Sequence, residues 1–323
     1  MKRRDFLKAA AGATALCGAG LAEARPNLEP APGAIGMLFD STLCIGCKAC
    51  VSACKETNGM PPVADGEVDY YDSARDLSGD TLNVIKVYKE GSAATKDALQ
   101  DGFAFEKRSC MHCVDPGCVS VCPVTAMRRD PLTGIVSYHA EACIGCRNCT
   151  VGCPYNVPQF EYDNPFGQIR KCQMCNQAGV ERLDQGLTTA CADVCPTGAT
   201  LFGSREALLA EAKRRLELKP GETYNYPRGD VRQPYSHHEK SVAADYRQHL
   251  WGEKEAGGTN VLHISSIPFD RLGMPPLGER SAVSVAEGVQ HTLYNYFALP
   301  AIALAGLTWV VRRNSGNDDG GES

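Results

Sequence analysis

This sequence predicts an α+β fold made of two similar units, interrupted by one insertion and followed by a C-terminal transmembrane helix. Three observations carry that reading. Sixteen of the seventeen cysteines fall between Cys44 and Cys195, in four groups of four. Short strand-like runs at 35–39, 135–138 and 199–202 border those groups, so the chain repeats one pattern of strand, cysteine loop and turn. Near its end, residues 293–311 carry no formal charge.

The third group sets the chemistry. Cys143, Cys146, Cys149 and Cys153, followed by Pro154, have the spacing C-x2-C-x2-C-x3-C-P. Bacterial ferredoxins hold 4Fe-4S clusters with that run. Three thiolates on a tight loop reach three corners of one small cube, and the fourth is carried by the proline turn toward a second cluster. A zinc site normally uses two separated ligand pairs. A disulfide framework explains many cysteines in a secreted chain, but not four groups with this spacing. The fold class thereby becomes two ferredoxin-like double-cluster units.

In chain order, residues 1–24 read as a twin-arginine export signal. Arg3-Arg4-Asp5-Phe6-Leu7-Lys8 precedes a mildly apolar run at 9–21 and the small-residue site Ala22-Glu23-Ala24. A protein that acquires its clusters in the cytoplasm has to be exported folded. Cys17 lies in this segment and is read as incidental. The four-cluster domain is expected over 25–220, beginning with a proline-rich linker. The first group, Cys44, Cys47, Cys50 and Cys54, repeats the x2, x2, x3 spacing, with Lys55 in place of the proline. An insertion at 55–109 lacks cysteine, contains a strand at 82–88, and is read as a surface lobe. The second group is Cys110, Cys113, Cys118 and Cys122, and the fourth is Cys172, Cys175, Cys191 and Cys195. Ser204 caps a helix expected to run to about Leu218, with Leu208, Leu209, Ala212 and Leu216 on one face. Residues 221–289 are polar and rich in Pro and Gly, and predict an irregular segment. Residues 290–313 are read as the membrane anchor. A helix over 293–311 is about 28 Å long, near the roughly 30 Å hydrocarbon core. Arg312-Arg313 follow on the side expected to stay in the cytoplasm, ahead of a polar tail at 314–323.

In two-cluster ferredoxins the last cysteine of each run binds the other cluster. The second and third runs are separated by only twenty residues, which pairs them and leaves the first with the fourth. Four ligand sets result: Cys44, Cys47, Cys50 with Cys195; Cys172, Cys175, Cys191 with Cys54; Cys110, Cys113, Cys118 with Cys153; Cys143, Cys146, Cys149 with Cys122. Gly46 and Gly145 let backbone amides approach sulfur. Lys48, Arg147 and Lys171 are candidates for raising cluster potentials, and His112 for tuning one. No haem motif, dinucleotide fingerprint or phosphate loop occurs, and no catalytic acid/base pair is evident. A net charge of −5 gives no support to a nucleic-acid partner. Four one-electron sites without a catalytic neighbour read as a non-catalytic wire.

The four groups, with Cys110-Met111-His112-Cys113-Val114-Asp115-Pro116-Gly117-Cys118, resemble the four-cluster beta subunits of bacterial respiratory oxidoreductases. The likeness to the HybA-type subunits of hydrogenase-2 covers nearly the whole chain. It rests on Gly36-Met37-Leu38-Phe39-Asp40, Cys153-Pro154-Tyr155-Asn156-Val157-Pro158, Gln290-His291-Thr292-Leu293-Tyr294 and the ending Trp309-Val310-Val311-Arg312-Arg313-Asn314. The resemblance implies a relay at the periplasmic face of the inner membrane. Its partners would be the small and large subunits of a nickel–iron hydrogenase and an integral membrane quinone-reactive subunit. The resemblance also implies the pairing just given. The alternative is the beta subunit of an exported formate dehydrogenase or other molybdopterin oxidoreductase.

Overall fold

The computed structural model describes residues 24–63 and 74–315. Nearly all of the segment expected to be an export signal, and the last eight residues, lie outside that range. The chain divides into two compact units, residues 27–281 and residues 282–323 together with 1–26. In chain order the elements are β1 (Ile35–Asp40), α1 (Ala49–Thr57), β2 (Val84–Lys89), β3 (Thr95–Lys96), β4 (Gly102–Arg108) and α2 (Gly117–Ser120). Next come β5 (Met127–Arg129), β6 (Val136–Tyr138), α3 (Asn148–Val151), β7 (Gln159–Phe160), β8 (Ile169–Arg170) and α4 (Ala190–Asp193). The chain continues through β9 (Thr200–Ser204), α5 (Arg205–Glu217), β10 (Thr223–Asp230), β11 (Pro234–Ser241), β12 (Val261–Ile264) and α6 (Ala282–Ser315).

The larger unit is built on a five-stranded sheet in the order β11-β10-β9-β1-β12. β1 lies at the fourth place, antiparallel to β9 and parallel to β12. Its residues are apolar on both faces because both are covered: Met37, Leu38 and Phe39 are all buried. Gly36 is required by a close approach. A Cβ there would stand 1.7 Å from the Asn260 carbonyl oxygen, so any side chain would push β1 away from the start of β12. α5 packs on β1 and β9. Ser204 caps it, its hydroxyl accepting from the Ala207 N–H at 3.4 Å. Leu208, Ala212 and Leu216 face inward as the periodicity requires, and Leu209 is only half-buried.

Two expectations are corrected. The segment at 221–289 is not irregular, since β10, β11 and β12 all come from it and complete the main sheet. Exposure alternates along β11, so its His-His-Glu-Lys stretch satisfies one open face and hides the strand from a hydrophobicity reading. The insertion is more than a surface lobe. Its sheet, in the order β2-β4-β3, sends Ile85 and Ala104 into the core and buries Glu106 and Lys107. Phe105 packs beside them, 2.5 Å from where a Cβ on Gly46 would lie.

α6 begins at Ala282, well before the expected anchor, and continues as one helix past Pro300. Within its own unit, the Arg25 side chain pairs with Glu287 of α6 at 2.5 Å. Among the described residues, no helix is long and apolar enough to cross a membrane. The expected span therefore becomes a helix with an exposed apolar run, including Phe297, Ile302, Leu304, Trp309 and Val311. Tyr294, Asn295, Tyr296 and Pro300 break up the first half of that run. The stretch beyond Pro300 is only about 16 Å long at the helical rise.

Candidate iron–sulfur centres

The cysteine loops repeat in backbone as well as in spacing, but as two kinds. In the first and third loops the left-handed residues are Gly46 and Lys48, then Gly145 and Arg147. In the second and fourth loops the corresponding turn is made by His112, then by Met174 and Cys175. Each loop of one kind is packed against a loop of the other. α1, which carries Cys50 and Cys54, packs against α4, which carries Cys191; α2, which carries Cys118, packs against α3, which carries Cys149. Three of the four runs are followed at once by Pro123, Pro154 or Pro196, which cannot continue a helix. Lys55 replaces that proline in the first run, and α1 accordingly extends to Thr57.

Packing in this way surrounds cavities with sulfur. Cys44, Cys47, Cys50 and Cys195 line one small cavity. Cys54, Cys172, Cys175 and Cys191 line another. Cys122, Cys143, Cys146 and Cys149 line a third. Cys110, Cys118 and Cys153 are electrostatic neighbours of Cys113 and complete the fourth set. All sixteen cysteines singled out in the sequence are thus gathered in four groups, each with three members from one run and one from its partner run. Among the described residues, no group of three or more His, Cys, Asp or Glu side chains is arranged to hold a single metal ion.

The surroundings fit a negatively charged, sulfur-rich group. None of the three cavity linings contains a carboxylate, and each contains one cation: Lys48, Lys107 or Arg147. Backbone amides point at sulfur. The Thr200 N–H donates to Cys195 Sγ at 3.4 Å and the Met127 N–H to Cys122 Sγ at 3.5 Å, each five residues on from its cysteine. The Met174 N–H reaches Cys172 Sγ at 3.4 Å. Such donors stabilise thiolate charge and tune whatever metal it binds.

Without that charge the thiols are held neutral. Burial, the largest cause, pushes Cys44, Cys50, Cys54 and Cys118 up to about 12. Burial also raises Cys149 and Cys175 to about 11. The consequence for a cluster-free chain has a definite sign. Unfolded thiols ionise near 9.0, while those in the fold stay neutral to about 12. Their contribution to stability is complete below pH 9 and is lost as pH rises toward 12. A chelator-stripped chain is expected to unfold in less denaturant at pH 10 than at pH 8; an equal or higher midpoint at pH 10 contradicts this.

The groups adjoin one another in succession. Cys50 of the first neighbours Cys191 of the second, Cys172 of the second neighbours Cys110, and Cys118 neighbours Cys149 of the last. At the two ends, Cys47 and Cys146 are exposed. Exposed apolar residues flank both: Ile45 at one end, Ile144 and Val151 at the other. At the second end the Arg147 guanidinium lies over the Phe160 ring, 5.0 Å from its centroid.

Of the other residues singled out, Lys171 is buried and donates to the Val136 carbonyl and to the Cys172 carbonyl at 2.9 Å. His112 is fully buried and accepts from the Val136 N–H through Nδ1 at 3.0 Å, which leaves its proton on Nε2. Burial, reinforced by the Lys171 charge, holds the His112 imidazole well below its usual range and therefore neutral. Sequence reasoning missed Lys107. It lies three residues before Cys110, on a strand of the insertion, and no motif or period marks it.

Comparison with known proteins agrees with this picture. A family model described as "4Fe-4S dicluster domain" matches residues 43–126, and another with the same description matches residues 102–205. The hydrogenase-2 operon protein HybA of Shigella flexneri is 49% identical over 334 aligned positions, covering 100% of this chain and 99% of that protein. This chain belongs to the HybA family. Formate dehydrogenase subunits are similar over less of it. The formate dehydrogenase-O iron-sulfur subunit of Shigella flexneri is 36% identical over 60% of this chain and 63% of its own length. The formate dehydrogenase iron-sulfur subunit of Haemophilus influenzae is 34% identical over 60% and 61%.

Proposed function

We propose that this chain is the electron-transfer subunit of a hydrogenase-2-type complex. It carries four 4Fe-4S clusters, held by the four cysteine sets named above, and catalyses no reaction itself. Each bound cluster would supply a one-electron redox site. The chain's own residues hold the thiolates, direct amides at sulfur, exclude water from the inner groups and expose one thiol at each end. The observation that carries the reading is this succession of adjoining groups, with an exposed thiol, Cys47 or Cys146, in the first and in the last. Electrons would pass between a nickel–iron hydrogenase core, made of small and large subunits, and an integral membrane quinone-reactive subunit. The location that suits this role is the periplasmic face of the inner membrane. Residues 1–24 would direct export by the twin-arginine route, and the exposed apolar run of α6 would provide attachment to the membrane.

The second reading, a subunit of a formate dehydrogenase or other molybdopterin oxidoreductase, is supported by the 36% identity to the Shigella flexneri formate dehydrogenase-O subunit. The hydrogenase reading is favoured because similarity to HybA covers 100% of this chain. Affinity purification of the tagged chain from its native membranes separates the two. Recovery of a nickel–iron large subunit is expected, and recovery of a molybdopterin subunit in its place would overturn the hydrogenase assignment.

A further inference from the structure

Lys107 occupies the wall between two of the cysteine-lined cavities. Its residue is only 3% exposed. On one side it lines the cavity of Cys54, Cys172, Cys175 and Cys191. On the other, its ammonium reaches Thr200 Oγ1 at 3.5 Å, and Thr200 lines the cavity of Cys44, Cys47, Cys50 and Cys195. Thr200 also presents its backbone N–H to Cys195 Sγ. Neither cavity lining offers Lys107 a carboxylate. The groups that attract its charge are thiols: Cys191, Cys50 and Cys172. A buried ammonium costs several kcal/mol in desolvation unless opposite charge faces it. In this wall, the thiolates of the two neighbouring groups supply that charge.

We infer that Lys107 is a positioning residue whose fixed positive charge sets the reduction potentials of the first and second clusters together. A cluster gains negative charge on reduction, so a neighbouring cation favours the reduced state and raises the potential. The charge is shared because it stands between two groups rather than beside one. Lys171 stands differently. Its ammonium is tied to the Val136 and Cys172 carbonyls, and the thiols that feel it are Cys118 and Cys153 of the third group. Lys48 and Arg147 lie nearer solvent, where water and salt screen them. Lys107 thus faces the first two groups and Lys171 the third, while the cation in the lining around Cys122, Cys143, Cys146 and Cys149 is the exposed Arg147.

This inference rests on the four-cluster reading, and its test keeps the two apart. Lys107→Met, Lys107→Gln and Lys107→Arg are made in the full-length chain and purified anaerobically with its complex. Iron and acid-labile sulfide are counted first, which tests the clusters themselves. Redox titration followed by electron paramagnetic resonance then reads each midpoint. With iron content unchanged, either neutral variant is expected to move two midpoints to more negative values and leave the other two in place. Lys107→Arg should stay near the wild type, and Lys171→Met should shift a different cluster. Unchanged midpoints in an assembled neutral variant, or an equal shift of all four, overturns the assignment. If both neutral variants fail to assemble while Lys107→Arg assembles with wild-type midpoints, the requirement for a cation stands. Failure of all three assigns Lys107 to packing and overturns it.

Discussion

Replacing Cys146 with Ser is expected to stop hydrogen-dependent quinone reduction while leaving dye reduction by the hydrogenase core intact. Cys146 is exposed in the last group, so the change removes a sulfur without opening a hole in the core. A hydroxyl is a poor replacement for thiolate on iron. On the proposed reading the last cluster would be lost or altered, and electrons would have to cross the gap it bridges. Weakening even the groups that support a metal's ligands costs 10–100-fold in affinity or activity. Loss of the ligand itself should therefore lower the rate by roughly 100-fold or more. The measurement is quinone reduction in the assembled complex beside dye-linked hydrogen oxidation by the same sample. Equal quinone rates in variant and wild type would remove Cys146 from the relay.

Replacing Arg215 with Met is expected to give the largest loss of stability. Arg215 of α5 and Asp40 at the end of β1 are both 0% exposed, and their ion pair is 3.0 Å long. The Arg215 Nε also donates to Glu211 at 2.9 Å. Asp40 further accepts from the Thr42 hydroxyl at 2.6 Å and the Tyr246 hydroxyl at 2.8 Å. Burial opposes the guanidinium's charge, but the Asp40 and Glu211 carboxylates outweigh it and hold Arg215 above its usual range. Removing the arginine leaves Asp40 buried without its cation and Glu211 with only Arg214, at 2.8 Å, and breaking a buried pair in this way costs about 3–5 kcal/mol. The effect should extend to the first cluster, because the Cys44 N–H donates to the Asp40 carbonyl at 3.2 Å. Thermal unfolding of the complex should show a lower midpoint, with the first cluster released ahead of the others. A midpoint within experimental error of the wild type would contradict the account.

The cysteine loops were legible because covalent spacing fixes them. Residues two or three apart on one short loop can reach the same small object wherever the rest of the chain goes. The strands leading into and out of the loops were legible for a related reason, since each is a short run with apolar or aromatic residues next to a cysteine run. What the spacing could not supply was anything made by distant segments meeting. Arg215 meets Asp40 across 175 positions, and neither has a local pattern that names the other. Lys107 reads as an ordinary basic residue in an insertion until β4 places it between two groups of thiols. β12 is only four residues long, Val-Leu-His-Ile, and acquires meaning by pairing with β1. The β10–β11 hairpin is polar because one face is open, so a search for apolar runs passes over it. The C-terminal helix was legible as a helix, but a count of uncharged residues overstated its apolar length.

The most direct test of the four-cluster account is the iron and acid-labile sulfide content of anaerobically purified full-length chain, read beside its paramagnetic spectrum after reduction. Four cubanes predict about sixteen iron and sixteen sulfide per chain, with the broad spectrum of interacting reduced clusters. Abundant zinc with little iron, or a reduced protein without a paramagnetic signal, would contradict it.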